Sequence, residues 1–247
     1  KEAAKKALDD GHVHYGDFAG ELLLREAIAD KLQSLNNLDI SPVEILVTNG
    51  LTHAAYAVFI AALDEGDEVI LLKPYYPQHI NKIELSGGKV VTAPLDKENR
   101  FRIDRDAIES RITNKTRMIC IVNPVNPTGH IFTRDELSFI ADLAIENDLL
   151  VASDKVYERI TYDGHQHISI ASLPGMRDRT FTMFAYTKAF SMGGWQLGYA
   201  ACKKEFIPAL MKITVNDVAH VKRVYPAWCS CRYLRPSRLS GRNCAGR

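Results

Sequence analysis

Net charge is almost missing from this sequence: 31 Lys+Arg stand against 30 Asp+Glu over 247 residues, leaving +1. So balanced a chain disfavours a polybasic nucleic-acid binder. Internal repeats and low-complexity tracts are also absent, and 46% hydrophobic with 25% charged residues is the make-up of a packed core, not of disorder or a collagen-like fibre. Cysteine is scarce and odd in number. Of the 5, Cys120 and Cys202 stand alone in apolar surroundings and Cys229, Cys231 and Cys244 crowd the last stretch, which gives no disulfide framework and points to a reducing compartment. The apolar run Leu51 to Leu63 falls short of the roughly 20 residues a membrane-spanning helix needs. No Gly-x-Gly-x-x-Gly follows the first strands, which argues against a dinucleotide-binding domain. An initiator Met and an apolar secretory leader are missing as well, because Lys1-Glu2-Ala3-Ala4-Lys5-Lys6 opens the chain. The expectation is a cytoplasmic protein whose chain starts inside a longer one.

Strand-length and helix-length apolar clusters alternate. Leu22, Leu23, Ala27, Ile28 and Leu32 recur at helical spacing after Glu21. Glu44 to Thr48 reads as a strand broken by Asn49-Gly50, Leu51 to Leu63 as a buried helix, and Glu68 to Leu72 as a strand before Pro74. A helix over Gln78–Leu85, a turn at Gly87-Gly88 and a strand from Lys89 to Val91 continue the pattern. Then come a helix from Asp104 to Ile112, a strand from Met118 to Val122, and a helix opened by the capping box Thr133-Arg134-Asp135-Glu136. Leu149 to Ser153 and Thr182 to Tyr186 complete the strands. Such regularity predicts an α/β fold, a mostly parallel sheet with helices on both faces. Composition then changes: from Val218 to Arg247 there is no Asp or Glu, while Lys222, Arg223, Arg232, Arg235, Arg238, Arg242 and Arg247 accumulate. The division predicted is one large domain over 1–215, incomplete at its N-terminus, and an irregular basic tail over 216–247, an unstructured terminus in preference to a nucleic-acid arm.

Three strand ends carry candidate chemistry. Asn123-Pro124-Val125-Asn126-Pro127-Thr128-Gly129 joins a strand to a helix, and its two prolines and glycine fix the backbone so that the Asn126 amide is held at the carboxyl edge of the sheet. Open α/β sheets bind ligands at that edge. Asp154, with Tyr157 after it, and Lys188 follow the next two strands to the same edge. Taken singly, these are a Pro-Gly turn, a helix cap and one lysine among many. Together they fit pyridoxal phosphate, which needs a lysine to hold it as a Schiff base, a carboxylate to keep its pyridine nitrogen protonated and donors at its phenolic oxygen. Lys188, Asp154 and the pair Asn126 and Tyr157 offer those groups. Gly50-Leu51-Thr52 opens a helix whose first amides suit a phosphate, and Tyr75 or Tyr76 supplies an aromatic face for the ring.

The ordered motifs resemble the class I/II aminotransferases, pyridoxal-phosphate enzymes of fold type I. From Tyr15 to about Val215 they run Tyr15-Gly16-Asp17-Phe18-Ala19-Gly20 with Leu24-Arg25, Val47-Thr48-Asn49-Gly50, Pro74-Tyr75-Tyr76-Pro77, Asn123 to Gly129, Ser153-Asp154-Lys155-Val156-Tyr157-Glu158, and Thr187-Lys188 to Gly198-Tyr199. The resemblance implies transfer of an amino group between an amino acid and a 2-oxo acid. Lys188 is then the Schiff-base lysine and proton shuttle, Asp154 the partner of the pyridinium nitrogen, Asn126 and Tyr157 the partners of the phenolic oxygen, and Tyr76 the stacking ring. Leu51 and Thr52 become the phosphate turn. Tyr15 resembles the tyrosine that reaches the neighbouring subunit's cofactor, which implies a homodimer. A lyase or synthase of the same fold, such as a carbon–sulfur lyase or an aminocyclopropane-carboxylate synthase, shares nearly all these motifs, and a fragment that keeps the sheet without turning over is a further alternative.

The sequence departs from the family in several places. Family members are longer, with a small domain that carries the carboxylate-binding arginine; here the basic tail stands in its place, as a truncated or frame-shifted reading would produce. Lys155, where the family usually has Glu, is expected to point away from the ring. Ala185 stands where a Ser is usual and Gln196 where a phosphate-binding Arg is usual. Exchanging a cation for an amide removes a charge-assisted contact of about 1.5–3 kcal/mol. Gln196→Arg is therefore expected to tighten pyridoxal-phosphate binding by roughly that amount, read by spectrophotometric titration, and an unchanged affinity would count against the assignment.

Overall fold

Buried side chains alternate between the two faces of the central strands, and that alternation sorts the helices into two layers. The computed structural model describes residues 2–221. In chain order the elements are α1 (Glu2–Asp9), α2 (Leu22–Asn36), β1 (Ile45–Thr48), α3 (Gly50–Ala62), β2 (Glu68–Lys73), α4 (Gln78–Leu85), β3 (Lys89–Asp96), β4 (Arg102–Ile103), α5 (Arg105–Glu109) and β5 (Thr116–Val122). After them come α6 (Arg134–Glu146), β6 (Leu150–Asp154), β7 (Thr180–Ala185), α7 (Tyr186–Ala189), β8 (Gly198–Ala201) and α8 (Ile207–Val218). Val69, Leu71, Met118, Cys120 and Ala152 face Ala54, Val58 and Phe59 of α3 and Leu210 of α8. Their neighbours Ile70, Leu72, Ile119, Ile121 and Val151 face Ile108 of α5 and Leu137, Ile140 and Ala144 of α6. On that second face α2 extends the layer, packing Leu24, Ile28 and Leu32 on Ile45, Val47, Phe184 and Tyr199. With both faces covered, the strands read as near-continuous apolar runs.

Among the described residues the sheet has 8 strands in the order β1-β8-β7-β6-β5-β2-β3-β4. Pairing is parallel from β3 through β7 and antiparallel at β3·β4, β7·β8 and β1·β8. The mostly parallel sheet with helices on both faces is thus present. Because β8 runs against both neighbours, β1 points the same way as β7, and Thr48 and Ala185 flank Gly198 in the ladder. The start of α3 therefore opens on the same edge as the ends of β5, β6 and β7.

Several elements differ from expectation for local reasons. Glu44 sits in a 3-10 turn, Pro42–Glu44, and not in β1. β3 runs on through Pro94, which the sequence argues against, because beyond β2 only the short β4 pairs with it, at Leu95 and Asp96, and an edge tolerates a missing N–H. α5 ends at Glu109, since the chain turns to enter β5 and the Thr113 N–H donates to Thr116 Oγ1 at 2.9 Å. The capping box at α6 forms as read: the Thr133 N–H donates to Glu136 Oε2 at 2.9 Å and the Glu136 N–H to Thr133 Oγ1 at 3.3 Å. α8 ends at Val218, and the basic run from Lys222 onward lies outside the described residues. Among the described residues no helix is long and apolar enough to cross a membrane.

Gly198 is where the edge strands meet the start of α3. A Cβ there would come within 2.6 Å of the Phe184 carbonyl oxygen and 2.8 Å of the Gly50 carbonyl carbon, both backbone atoms. Gly198→Ala is expected to destabilise the fold by about 1–3 kcal/mol through overpacking, measured as a fall in the urea midpoint.

Candidate active site

One cleft of about 270 Å³ opens at the carboxyl edge of the sheet, lined by Leu51, Thr52, Tyr76, Val122, Asn126, Asp154, Val156, Tyr157, Thr187, Lys188, Gly193 and Gln196. Seven of the residues singled out from sequence meet there: Leu51, Thr52, Tyr76, Asn126, Asp154, Tyr157 and Lys188. Gly50 lies immediately behind the wall. It takes a left-handed φ of +79°, and a Cβ on it would approach Gln196 Oε1 to 3.1 Å, so the α3 turn packs directly on the Gln196 turn. Tyr75 packs instead against the core on the α3 face, leaving Tyr76 as the aromatic wall.

Asp154 is 2% exposed at the end of β6. Its Oδ1 accepts from the Val156 N–H at 3.1 Å, and His79 Nε2 lies 3.1 Å from Oδ2. A carboxylate only accepts, so Nε2 carries the proton in this contact. Asn126 Nδ2 donates to the Tyr157 hydroxyl at 3.2 Å, which joins the two expected partners of a phenolic oxygen into one unit. Burial, Asp154 and Tyr76 together push the Tyr157 phenol above its ordinary value, against the bond from Asn126. Lys188 sits in α7, exposed on the cleft, one turn from β7.

Tyr15 lies apart. It is 79% exposed, with its ring edge-on to His220 at 5.0 Å, and it takes no part in this chain's cleft. The loop that presents it is braced by Arg25, whose guanidinium donates to Asp17 Oδ2 at 2.6 Å, Gly20 O at 2.9 Å and Pro42 O at 3.0 Å. That bracing accounts for the joint appearance of Asp17, Gly20 and Arg25 in the sequence. Gln196 folds onto its own turn, donating from Nε2 to Gly193 O at 2.6 Å.

Two groups of residues were not singled out as site residues. The first is on α4: His79, held by Asp154, and Lys82, 5% exposed with its ammonium 5.8 Å from the Tyr76 ring centroid. Burial lowers the Lys82 ammonium, while Asp154 opposes that shift. Their signal is spacing, because Tyr76, His79 and Lys82 follow each other at one-turn intervals. The second is a buried charge cluster behind the cleft, in which Glu158 accepts from Lys31, Lys155 and Asn36. No periodicity announces it, since its members come from distant segments.

A buried carboxylate, a lysine, a paired amide and phenol, an aromatic wall and a helix start thus meet in one cleft at the edge of an α/β sheet. Residues 1–230 match the family of class I and II aminotransferases. The chain is 40% identical to an aspartate aminotransferase of Pyrococcus abyssi over 236 residues, 95% of this chain and 58% of that enzyme. An aromatic-amino-acid aminotransferase of Thermococcus litoralis is 38% identical over 95% of this chain and 58% of its own length. Among solved structures, the aromatic aminotransferase of Pyrococcus horikoshii superposes with a TM-score of 0.93 at 38% identity, covering 95% of this chain and 63% of that one. The Thermus thermophilus aspartate aminotransferase with maleate gives 0.89 at 35% identity, over 93% and 60%. The chain belongs to the class I and II aminotransferases, a pyridoxal-phosphate-dependent family, and spans about 60% of the length of these relatives.

His167 borders the charge cluster, its Nδ1 4.0 Å from Glu158 Oε2 and its side chain 4% exposed. Burial lowers it to about 3, with Glu158 opposing and Lys155 and Lys31 adding to the fall. A histidine held neutral in the fold but free to protonate when unfolded gives stability that is full above about pH 6.5 and lost as pH falls toward 3. Between pH 7 and pH 5 the parent is expected to lose about 2 kcal/mol more than His167→Gln. Urea unfolding at the two pH values measures the difference.

Proposed function

We propose that this chain carries the cofactor-binding domain of an aminotransferase that moves an amino group between an amino acid and a 2-oxo acid. The observation that carries the reading is the convergence of Asp154, Lys188, the Asn126–Tyr157 pair and Tyr76 on one cleft. Bound there, pyridoxal phosphate supplies an electron sink for the bonds to the substrate's α-carbon. Asp154, fixed by His79 and the Val156 N–H, would hold the proton on the ring nitrogen. The Asn126 amide and the Tyr157 hydroxyl would serve the phenolic oxygen, and Tyr76 would cover the ring. Lys188 Nζ would anchor the cofactor and would hold and return the proton taken from the substrate's α-carbon. Leu51 and Thr52 at the start of α3 receive the phosphate.

The named relatives are aminotransferases, which favours transfer over elimination by a lyase of the same fold. A homodimer follows from the same reading. Tyr15, Leu8, Val13, Leu22 and Leu23 are all more than half exposed, apolar side chains of the kind a second copy would cover, and Tyr15 would then serve the partner's cleft. A reducing, cytoplasmic setting matches the two buried free thiols, Cys120 and Cys202.

Titrating the purified chain with pyridoxal phosphate is expected to raise a visible band that Lys188→Ala abolishes. Amino-acid and 2-oxo-acid pairs added to the same sample should then exchange their groups without ammonia release. A folded parent with no band overturns the reading, and ammonia release in place of exchange points to the lyase.

A further inference from the structure

The segment that carries Asp154 and Tyr157 toward the cleft carries Lys155 and Glu158 the other way. Lys155 is 0% exposed and Glu158 8% exposed, and the Lys155 ammonium reaches Glu158 Oε2 at 2.9 Å and Asn36 Oδ1 at 2.9 Å. Lys31 donates to the other Glu158 oxygen, to Asn36 Oδ1 at 2.8 Å and to the Tyr199 hydroxyl at 3.3 Å. Asn36 Nδ2 closes the ring on Glu158 Oε2 at 3.0 Å. Two ammoniums thus share one carboxylate out of water. Burial alone would raise the Glu158 carboxyl, but Lys155, Lys31 and His167 hold it well below the usual carboxylate range. Lys31 pays the electrostatic cost: burial and the neighbouring Lys155 pull it well below an ordinary lysine despite Glu158.

The tie from Lys155 to Glu158 spans the single turn on which Tyr157 sits. The backbone repeats it, with the Glu158 N–H donating to Lys155 O at 3.0 Å and the Lys155 N–H to Met183 O at 3.0 Å. Lys31 and Asn36 anchor the far end of the clasp to α2. We propose that Lys155, through its buried ion pair with Glu158, is a positioning residue that fixes the Tyr157 hydroxyl on Asn126 and so orients the phenolic-oxygen end of the site. The inference rests on the aminotransferase reading for its use, and on the clasp alone for its geometry.

The test uses the full chain and reads Tyr157 ionisation by ultraviolet difference titration against Tyr157→Phe, which needs no cofactor. Lys155→Met leaves the Lys31–Glu158 pair balanced. Loss of a positive charge and loss of the Asn126 bond both push the phenol upward while better hydration pulls it down, so the readout is the coupling of Tyr157 to Asn126 and not the sign of one shift. In the parent, Asn126→Ala is expected to raise the Tyr157 midpoint, and in the Lys155→Met background the same substitution is expected to leave it in place, because the hydroxyl is no longer held on the amide. Lys31→Met, which cuts one of the two ties to α2 and spares the clasp, should lower the melting temperature and leave the Asn126→Ala shift in place. Should Lys155→Met fail to unfold cooperatively, Lys155→Gln takes the same readings. An Asn126→Ala shift of the same size with and without Lys155 overturns the proposal, whatever happens to the melting temperature. A parent that shows no cofactor band sinks the functional reading instead, and the titration of the cofactor-free chain still decides the clasp.

Discussion

A carboxylate taken out of water must be compensated, and the compensation of Asp154 organises everything around it. At 2% exposure it keeps one oxygen on the Val156 N–H and the other on His79. Its own carbonyl accepts the Asn123 N–H at 2.9 Å, which joins the end of β6 to the loop that delivers Asn126. One residue therefore ties the acid, the amide loop and α4 into a single rigid unit at the sheet edge. Among the described residues, Asp154 and Lys188 are the one acidic and the one basic side chain that line the cleft.

The fold was largely legible because burial on both sheet faces leaves long apolar strands, and parallel strands demand helices between them. β2, β5, β6 and β7, with the helices between, stand close to the bounds the sequence suggests. β8 escaped notice because Gly198-Tyr199-Ala200-Ala201 has no β-branched residue and little length; only its place between two strands makes it one. The continuation of β3 through Pro94 was hidden for the opposite reason, a residue that forbids an interior strand and is permitted at an edge.

The site divides in the same way. Asn126, Asp154 and Lys188 are readable because each follows a strand, and the sheet carries strand ends to one edge. The Lys31–Glu158–Lys155 cluster is not readable, because Lys31 on a mixed helix face looks like any solvated lysine until α2 is laid against β7 and β8. Lys155 was expected to face away from the ring, and it does so into a buried ion pair, not into water. His79 and Lys82 fall between these extremes, lying on the helix that begins just beyond Tyr76.

β8 also sets an order of events. β1 emerges early in synthesis, yet its ladder partner is β8, so Ile45 waits for Ala201 and Thr48 for Gly198. The turn at Gly50 and the lysine at Lys188 come to one cleft only when that late strand inserts between β1 and β7. A nascent chain stopped before Gly198 already holds Asp154 and Asn126 at one edge but has no closed seat for the start of α3. Assembly of the cleft is thus coupled to near-completion of the sheet, and long-range pairing of this kind places its closure among the slow steps of folding.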